Sequence, residues 1–118
     1  VMKSVTKYTD NVGNATGSVA GNVTATTDYL FLLAEFEVFG SRYYANDYER
    51  NSQLQYDYYK ASNSRVAYKH NATGTAVWWW LRSPYYNYAN GFCNVNTGGG
   101  SGNNNAYYSA ALLPGFAT

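Results

Sequence analysis

The stretch Val77-Trp78-Trp79-Trp80-Leu81-Arg82-Ser83-Pro84 holds all three tryptophans of the chain. It predicts a strand over Val77–Arg82 that ends at Ser83-Pro84, because proline has no N–H to give to a ladder. Successive strand side chains point to opposite faces, so Trp78 and Trp80 share one side and Trp79 takes the other. Val77 and Leu81 are core residue types, and the three rings are therefore read as core and inter-layer packing. A platform for stacking sugars or bases would instead leave a ring exposed. Arg82 is read as a local cap or partner.

Upstream of this strand the pattern is mixed. A short strand is predicted near Val1–Tyr8, then a polar loop through Asn11–Asn22 broken by Gly13, Gly17 and Gly21. Tyr29-Leu30-Phe31-Leu32-Leu33 is a continuous apolar run that suits a strand buried on both faces. Glu35-Phe36-Glu37-Val38-Phe39 alternates polar and apolar until Gly40, and either extends that strand or forms an edge. Residues 49–61 are the helix candidate, with Asn51 or Ser52 as cap and Leu54, Tyr58 and Ala61 at helical spacing. Arg65–Lys69 is a short extended piece before the turn-prone His70–Gly74.

Downstream the composition changes sharply. Residues 83–118 contain no Asp, Glu, Lys, Arg or His, but seven Asn, five Tyr and six Gly. Phe92-Cys93-Asn94-Val95-Asn96 alternates like a strand, Gly98-Gly99-Gly100 marks a turn, and Gly115-Phe116-Ala117 is a candidate closing strand. Phe92, Val95, Leu112, Leu113 and Phe116 are expected to pin this stretch to a core.

The whole chain has 118 residues and a mass of 13.1 kDa, enough for one domain spanning 1–118 with its own core. Eight Lys plus Arg against seven Asp plus Glu leave a net charge of +1, without the basic stripe of a nucleic-acid binder. No apolar run approaches the roughly 20 residues of a membrane-spanning helix, so no membrane insertion is expected. The start Val1-Met2-Lys3 resembles no signal peptide, and the chain is taken as a C-terminal fragment of a longer protein.

Catalysis has little to draw on. The single histidine, His70, sits in a predicted turn. Glu35 and Glu37, two apart, would share an exposed strand face. Cys93, flanked by apolar residues, is read as a small buried hydrophobe. No metal or cofactor is expected, since there is neither a clustered His/Cys set nor a phosphate-binding glycine signature. The informative palette is Tyr85, Tyr86, Asn87, Tyr88, Asn90, Asn94, Asn96, Asn103, Asn104, Asn105, Tyr107, Tyr108 and Ser109. Tyrosine supplies stiff amphipathic contact area, and Asn, Ser and Gly supply adaptable hydrogen bonds, as in antibody paratopes. These residues are the candidate ligand-binding set, with the tyrosines as anchors.

Several blocks recur together in one family: Asp28 through Gly40, Trp78-Trp79-Trp80-Leu81-Arg82-Ser83-Pro84, Phe92-Cys93-Asn94-Val95-Asn96 and Pro114-Gly115-Phe116. On these the chain resembles the DUF6273-type domains of gut bacteria and their phages, which are similar to the variable proteins of diversity-generating retroelements. The resemblance implies an α+β, C-type-lectin-like fold of the formylglycine-generating-enzyme type, with small antiparallel sheets, one or two helices and long loops. It also implies a variable ligand-binding segment at 84–118. Randomising the adenines of Asn codons cannot yield Lys, Glu, Gln, Met or Trp, and the chain beyond Arg82 contains none of these. The Glu-Pro-Asn, Gln-Pro-Asp and Trp-Asn-Asp motifs of calcium lectins do not occur, nor do the paired reactive cysteines of the oxygenase-type members. The expectation is a non-enzymatic display domain on a phage virion or bacterial cell surface, recognising a protein or glycan receptor. The alternative is a structural virion or surface module whose Tyr/Asn face makes homo-oligomer contacts.

Overall fold

A computed structural model describes residues 1–10 and 23–118, so the polar loop expected at 11–22 lies outside the described residues. Strands β1 (Val5–Asp10) and β2 (Val23–Asp28) form an antiparallel ribbon. A one-turn helix α1 (Glu35–Phe39), a 3-10 turn (Glu49–Ser52) and a second one-turn helix α2 (Asp57–Lys60) follow. Strands β3 (Ala67–Lys69) and β4 (Ala72–Val77) make a second ribbon. The main sheet is antiparallel, in the order β5 (Trp79–Pro84), β6 (Gly91–Val95), β7 (Ser101–Asn105).

The α+β C-type-lectin-like expectation is corrected by this architecture, which is small antiparallel sheets with 42% of the described residues in strand and only 12% in helix. Helical segments stop after a turn because their flanking residues are bound elsewhere. Within the expected helix 49–61, residues 53–56 are drawn out into an extended link between the two turns. Gln53 Nε2 donates to the Tyr8 carbonyl, Gln55 Nε2 to the Val38 carbonyl, and the Tyr56 amide to the Glu37 carbonyl. Leu54, read at helical spacing with Tyr58 and Ala61, lies in this extended link and is 82% exposed.

The Glu35–Phe39 segment, read as extended, is helical. Glu37 sits at the third helical position and accepts the Ala34 amide at 3.0 Å, satisfying one orphan donor of the first turn. Gly40 closes the turn at φ +66°, a left-handed conformation that glycine adopts without strain, and its amide reaches the Phe36 carbonyl at 2.8 Å. The run Tyr29–Leu33 is not a doubly buried strand either. Tyr29 and Leu30 are exposed, and Phe31 forms only an isolated bridge with Gly115.

The tryptophan segment follows the expected strand only in part: Val77 closes β4, Trp78 lies between the two strands, and β5 runs from Trp79 through Ser83 and Pro84, which pairs with Phe92. The expected end at Ser83-Pro84 is corrected, because β5 is an edge strand of the main sheet and can tolerate a proline. Trp79 is fully buried and donates its indole N–H to the Arg65 carbonyl at 2.9 Å, while Trp78 and Trp80 meet edge-on at 4.9 Å between ring centroids. Trp79, Leu81, Cys93 and Val95 form the core face of the main sheet, packed with Leu33, Val38, Ala45 and Tyr59. At the end of the chain the backbone, not the side chains, is pinned. Leu112, Leu113 and Phe116 are exposed, against expectation, whereas Ala111, Gly115 and Ala117 bridge to Trp79, Phe31 and Lys3. Gly115 must be glycine for this crossing: an added Cβ would lie 2.7 Å from the Phe31 ring.

Candidate ligand-binding face

The turn after β5 begins where Tyr85 gives its amide to the Gly91 carbonyl at 2.9 Å, returning the chain into β6. The Tyr85 ring is the centre of an aromatic cluster. It meets Tyr44 edge-on at 5.8 Å, Tyr86 edge-on at 5.4 Å and Tyr88 at 6.0 Å. Arg42 lies over the Tyr86 ring at 4.2 Å and gives its Nε to the Ala45 carbonyl.

A second turn follows β7 directly beside the first. Gly91 pairs with Asn105, and the Ala106 amide donates to the Asn90 carbonyl at 2.9 Å, so the two turns are stitched at one end of the sheet. Tyr107 and Tyr108 lie with ring centroids 4.7 Å apart, and Asn105 Nδ2 donates to the Tyr107 hydroxyl. The neighbouring Tyr107 hydroxyl pushes the Tyr108 phenol above its ordinary pKa. Tyr88, Tyr107 and Tyr108 are 55%, 73% and 49% exposed, which makes them the accessible rings of this end. Asn90 and Ser109 are exposed beside them; Tyr85, Tyr86 and Asn87 are half-buried.

Not every expected contact residue belongs here. Asn94 is 3% exposed and pairs with Trp80 and Gly102, where an added Cβ would meet its Oδ1 at 2.6 Å; it is a scaffold residue, and its placement in the binding set is corrected. Asn96 lies at the opposite end of the sheet. Its Oδ1 accepts the Gly98 and Gly100 amides at 3.0 and 2.9 Å, so its carbonyl shapes the β6–β7 turn. Along β7 the side chains alternate. Asn103 and Asn105 stand opposite Cys93 and Gly91 on the core side, Asn104 opposite Phe92 on the other, and all three are half-buried.

The rigidity of this end comes from acids whose role the spacing did not reveal. Glu35, expected on an exposed strand face, is fully buried. Its carboxylate accepts the amides of Tyr43, Tyr44 and Ala45 and the Ser101 hydroxyl, at 2.6 to 3.2 Å. The Tyr44 carbonyl in turn accepts the Tyr86 amide at 2.8 Å. One anion thus ties α1, the 43–45 segment, β7 and the tyrosine turn together.

Glu37 is also buried, with both carboxylate oxygens bonded to Arg82 at 2.7 and 2.9 Å and a further ion pair to Lys7 at 3.0 Å. Burial alone would raise its pKa; the Arg82 bonds and charge, the Ala34 amide and Lys7 outweigh it and hold the carboxyl below its ordinary value. Arg82 is therefore a long-range clamp and not a local cap, reaching the Leu32 and Tyr8 carbonyls as well.

Cys93 is 0% exposed, as expected of a small buried hydrophobe. Burial, with Glu35 and Glu49 near it, pushes its thiol pKa well up, away from nucleophilic form. His70 is exposed in the turn between β3 and β4. Among the described residues no three His, Cys, Asp or Glu side chains are grouped to hold a metal, and no helix is long and apolar enough to cross a membrane.

A family model described as "Domain of unknown function (DUF6273)" matches residues 1–117. The chain belongs to the DUF6273 family. No curated protein and no solved structure matches it. For this DUF6273 domain the tyrosine-bearing sheet end is therefore argued from its own residues. The Trp-Leu-Arg-Ser-Pro block, prominent in the sequence, is in place the structural hub that carries Arg82 to Glu37 and Ser83 to Glu35 and Glu49.

Proposed function

We propose that this DUF6273 domain is a non-catalytic binding module. Its contact surface is the sheet end bearing Tyr88, Tyr107 and Tyr108, ringed by Asn90, Asn105 and Ser109. The observation that carries the reading is the pairing of exposed phenols with a backbone locked by buried hydrogen bonds. Stiff aromatic groups held in place lose little entropy on contact, which is what a recognition surface requires. The ligand class is a protein or glycan receptor, and the setting a phage particle or bacterial cell surface.

The finer reading is that segment 84–118 is diversified, as in retroelement variable proteins. Its support is the uncharged Asn/Tyr/Ser/Gly composition together with the exposed side chains of Tyr88, Asn90, Tyr107, Tyr108 and Ser109. Burial adds a constraint: variation would fall on Tyr88, Asn90, Tyr107 and Tyr108 and spare Asn94. The genomic test is a reverse transcriptase beside a near-copy of the DNA for residues 84–118 differing at adenines.

For binding, the domain is presented to arrays of glycans and of bacterial surface proteins. Replacing Tyr88, Tyr107 and Tyr108 together by Ala is expected to weaken any captured ligand at least about 100-fold, at roughly 1–3 kcal/mol for each anchor ring. Unchanged capture refutes the face. A homo-oligomer in light scattering that the same triple substitution dissolves favours the alternative, a structural module.

A further inference from the structure

Among the described residues, the interior holds a polar cluster that these contacts satisfy only in part. Asp10, closing β1, is 1% exposed, and neither carboxylate oxygen has a hydrogen-bond partner among the described residues. Glu49, also 1% exposed, accepts the Ser83 hydroxyl through Oε1 and leaves Oε2 unpartnered. Gln53, 6% exposed, gives its Nε2 to the Tyr8 carbonyl at 2.9 Å, while its Oε1 has no donor. These groups occupy one region. The 3-10 turn packs on β1, Gln53 is anchored two residues from Asp10, and the Asp10 charge acts on Glu49.

Burying carboxylates and an amide oxygen without donors is costly. The charged groups around them are otherwise engaged. Arg82, whose charge reaches Glu49, has its guanidinium on Glu37, on the Leu32 and Tyr8 carbonyls and on Thr9 Oγ1. Glu35, the other acid acting on Glu49, is taken up by the 43–45 amides.

We propose that Asp10, Glu49 and Gln53 hold a hard divalent cation of the calcium class. The four unpartnered atoms are all oxygens, two residues supply negative charge, and no nitrogen or sulfur ligand is among them. That donor set suits calcium, which accepts carboxylate and amide oxygens in flexible geometry, better than zinc or copper. The neutral Gln53 carbonyl separates this from a mere pair of acids. A single shared proton satisfies two of the four oxygens, whereas a cation serves all of them.

The test uses the full chain, stripped of metal and titrated with calcium chloride, and separately magnesium chloride, by calorimetry near neutral pH. Thermal unfolding is followed in parallel. A saturable calcium site is expected, with the melting midpoint rising by roughly 5 °C or more once calcium exceeds its dissociation constant a hundredfold. Asp10→Asn should abolish the calcium increment. If that variant does not fold, Gln53→Met should lower calcium affinity at least about tenfold. No heat and no midpoint shift with either metal overturns the proposal. So does a calcium response retained in full by Asp10→Asn, which marks an adventitious ion only. A midpoint that ignores calcium but rises as pH falls assigns the cluster to protons and equally overturns it.

Discussion

The chain up to Arg82 and the chain beyond it invert the usual distribution of charge and aromatic surface. Every formally charged side chain lies at or before residue 82, yet Asp10, Glu35, Glu37 and Glu49 are buried. The stretch from Ser83 onward carries no charge at all, yet it presents three tyrosines and three large apolar residues to solvent. The difference separates two tasks. Of these acids, Glu35 and Glu37 act as hydrogen-bond hubs that draw backbone amides and one arginine around them, which fixes short segments that could not hold themselves as helices or sheets. The exposed phenols of the second region, Tyr88, Tyr107 and Tyr108, stand on that framework.

The sharpest way to break this comparison is to remove the clamp between the regions. Arg82→Met leaves the buried Glu37 carboxylate with Lys7 as its one ion-pair partner besides the Ala34 amide, and should destabilise the domain by about 3–5 kcal/mol in urea unfolding. A loss below about 1 kcal/mol would mean that the interior does not depend on its ion pairs.

A second expectation concerns pH in metal-free buffer. Burial first, then the Glu35 and Asp10 charges, outweigh the Ser83 bond and raise Glu49 from 4.5 to about 7. Its folded form therefore holds a proton more tightly than the unfolded chain. The associated stability is present below about pH 4.5 and lost as pH rises through about 7, in total of order 3 kcal/mol. Glu37 acts in the opposite sense, since its lowered pKa contributes stability above its ordinary 4.5 that vanishes as acid protonates it. Denaturation monitored across this range should show a maximum between the two. A flat profile would remove Glu49 from the interior network.

The smallest effects sharpen the contrast between the two ends of the main sheet. Asn96→Ala deletes the acceptor of two turn amides and should cost about 1 kcal/mol. Tyr107→Ala and Tyr108→Ala, on exposed rings, should each change stability by less than about 0.5 kcal/mol. Equal losses at both ends would show that the displayed rings are structural after all.

Legibility followed the range of the interactions. The alternation of Phe92–Asn96 and the glycines at 98–100 predicted β6 and its turn, because a period of two and glycine turn chemistry are local properties. Glu35–Phe39 carries the same alternation yet is a helix, since Glu37 caps it and Arg82, far along the chain, holds that carboxylate in place. Asn94, Asn96 and Asn105 are the same residue within one segment, but one is buried, one builds a turn and one borders the tyrosines.

By itself the sequence determined the inward–outward alternation of the tryptophans, the inward cysteine and the uncharged tyrosine-rich ending, because residue type, alternation and composition are written along the chain; where the tryptophan strand begins and ends was not among them. Which carboxylates are buried, which tyrosines remain exposed, and that two turns 20 residues apart meet at one sheet end were decided only by the tertiary structure. The physical reason is that a buried charge or a displayed ring is defined by its partners, and here those partners, Arg82 for Glu37 and Ser101 for Glu35, lie 45 and 66 residues away.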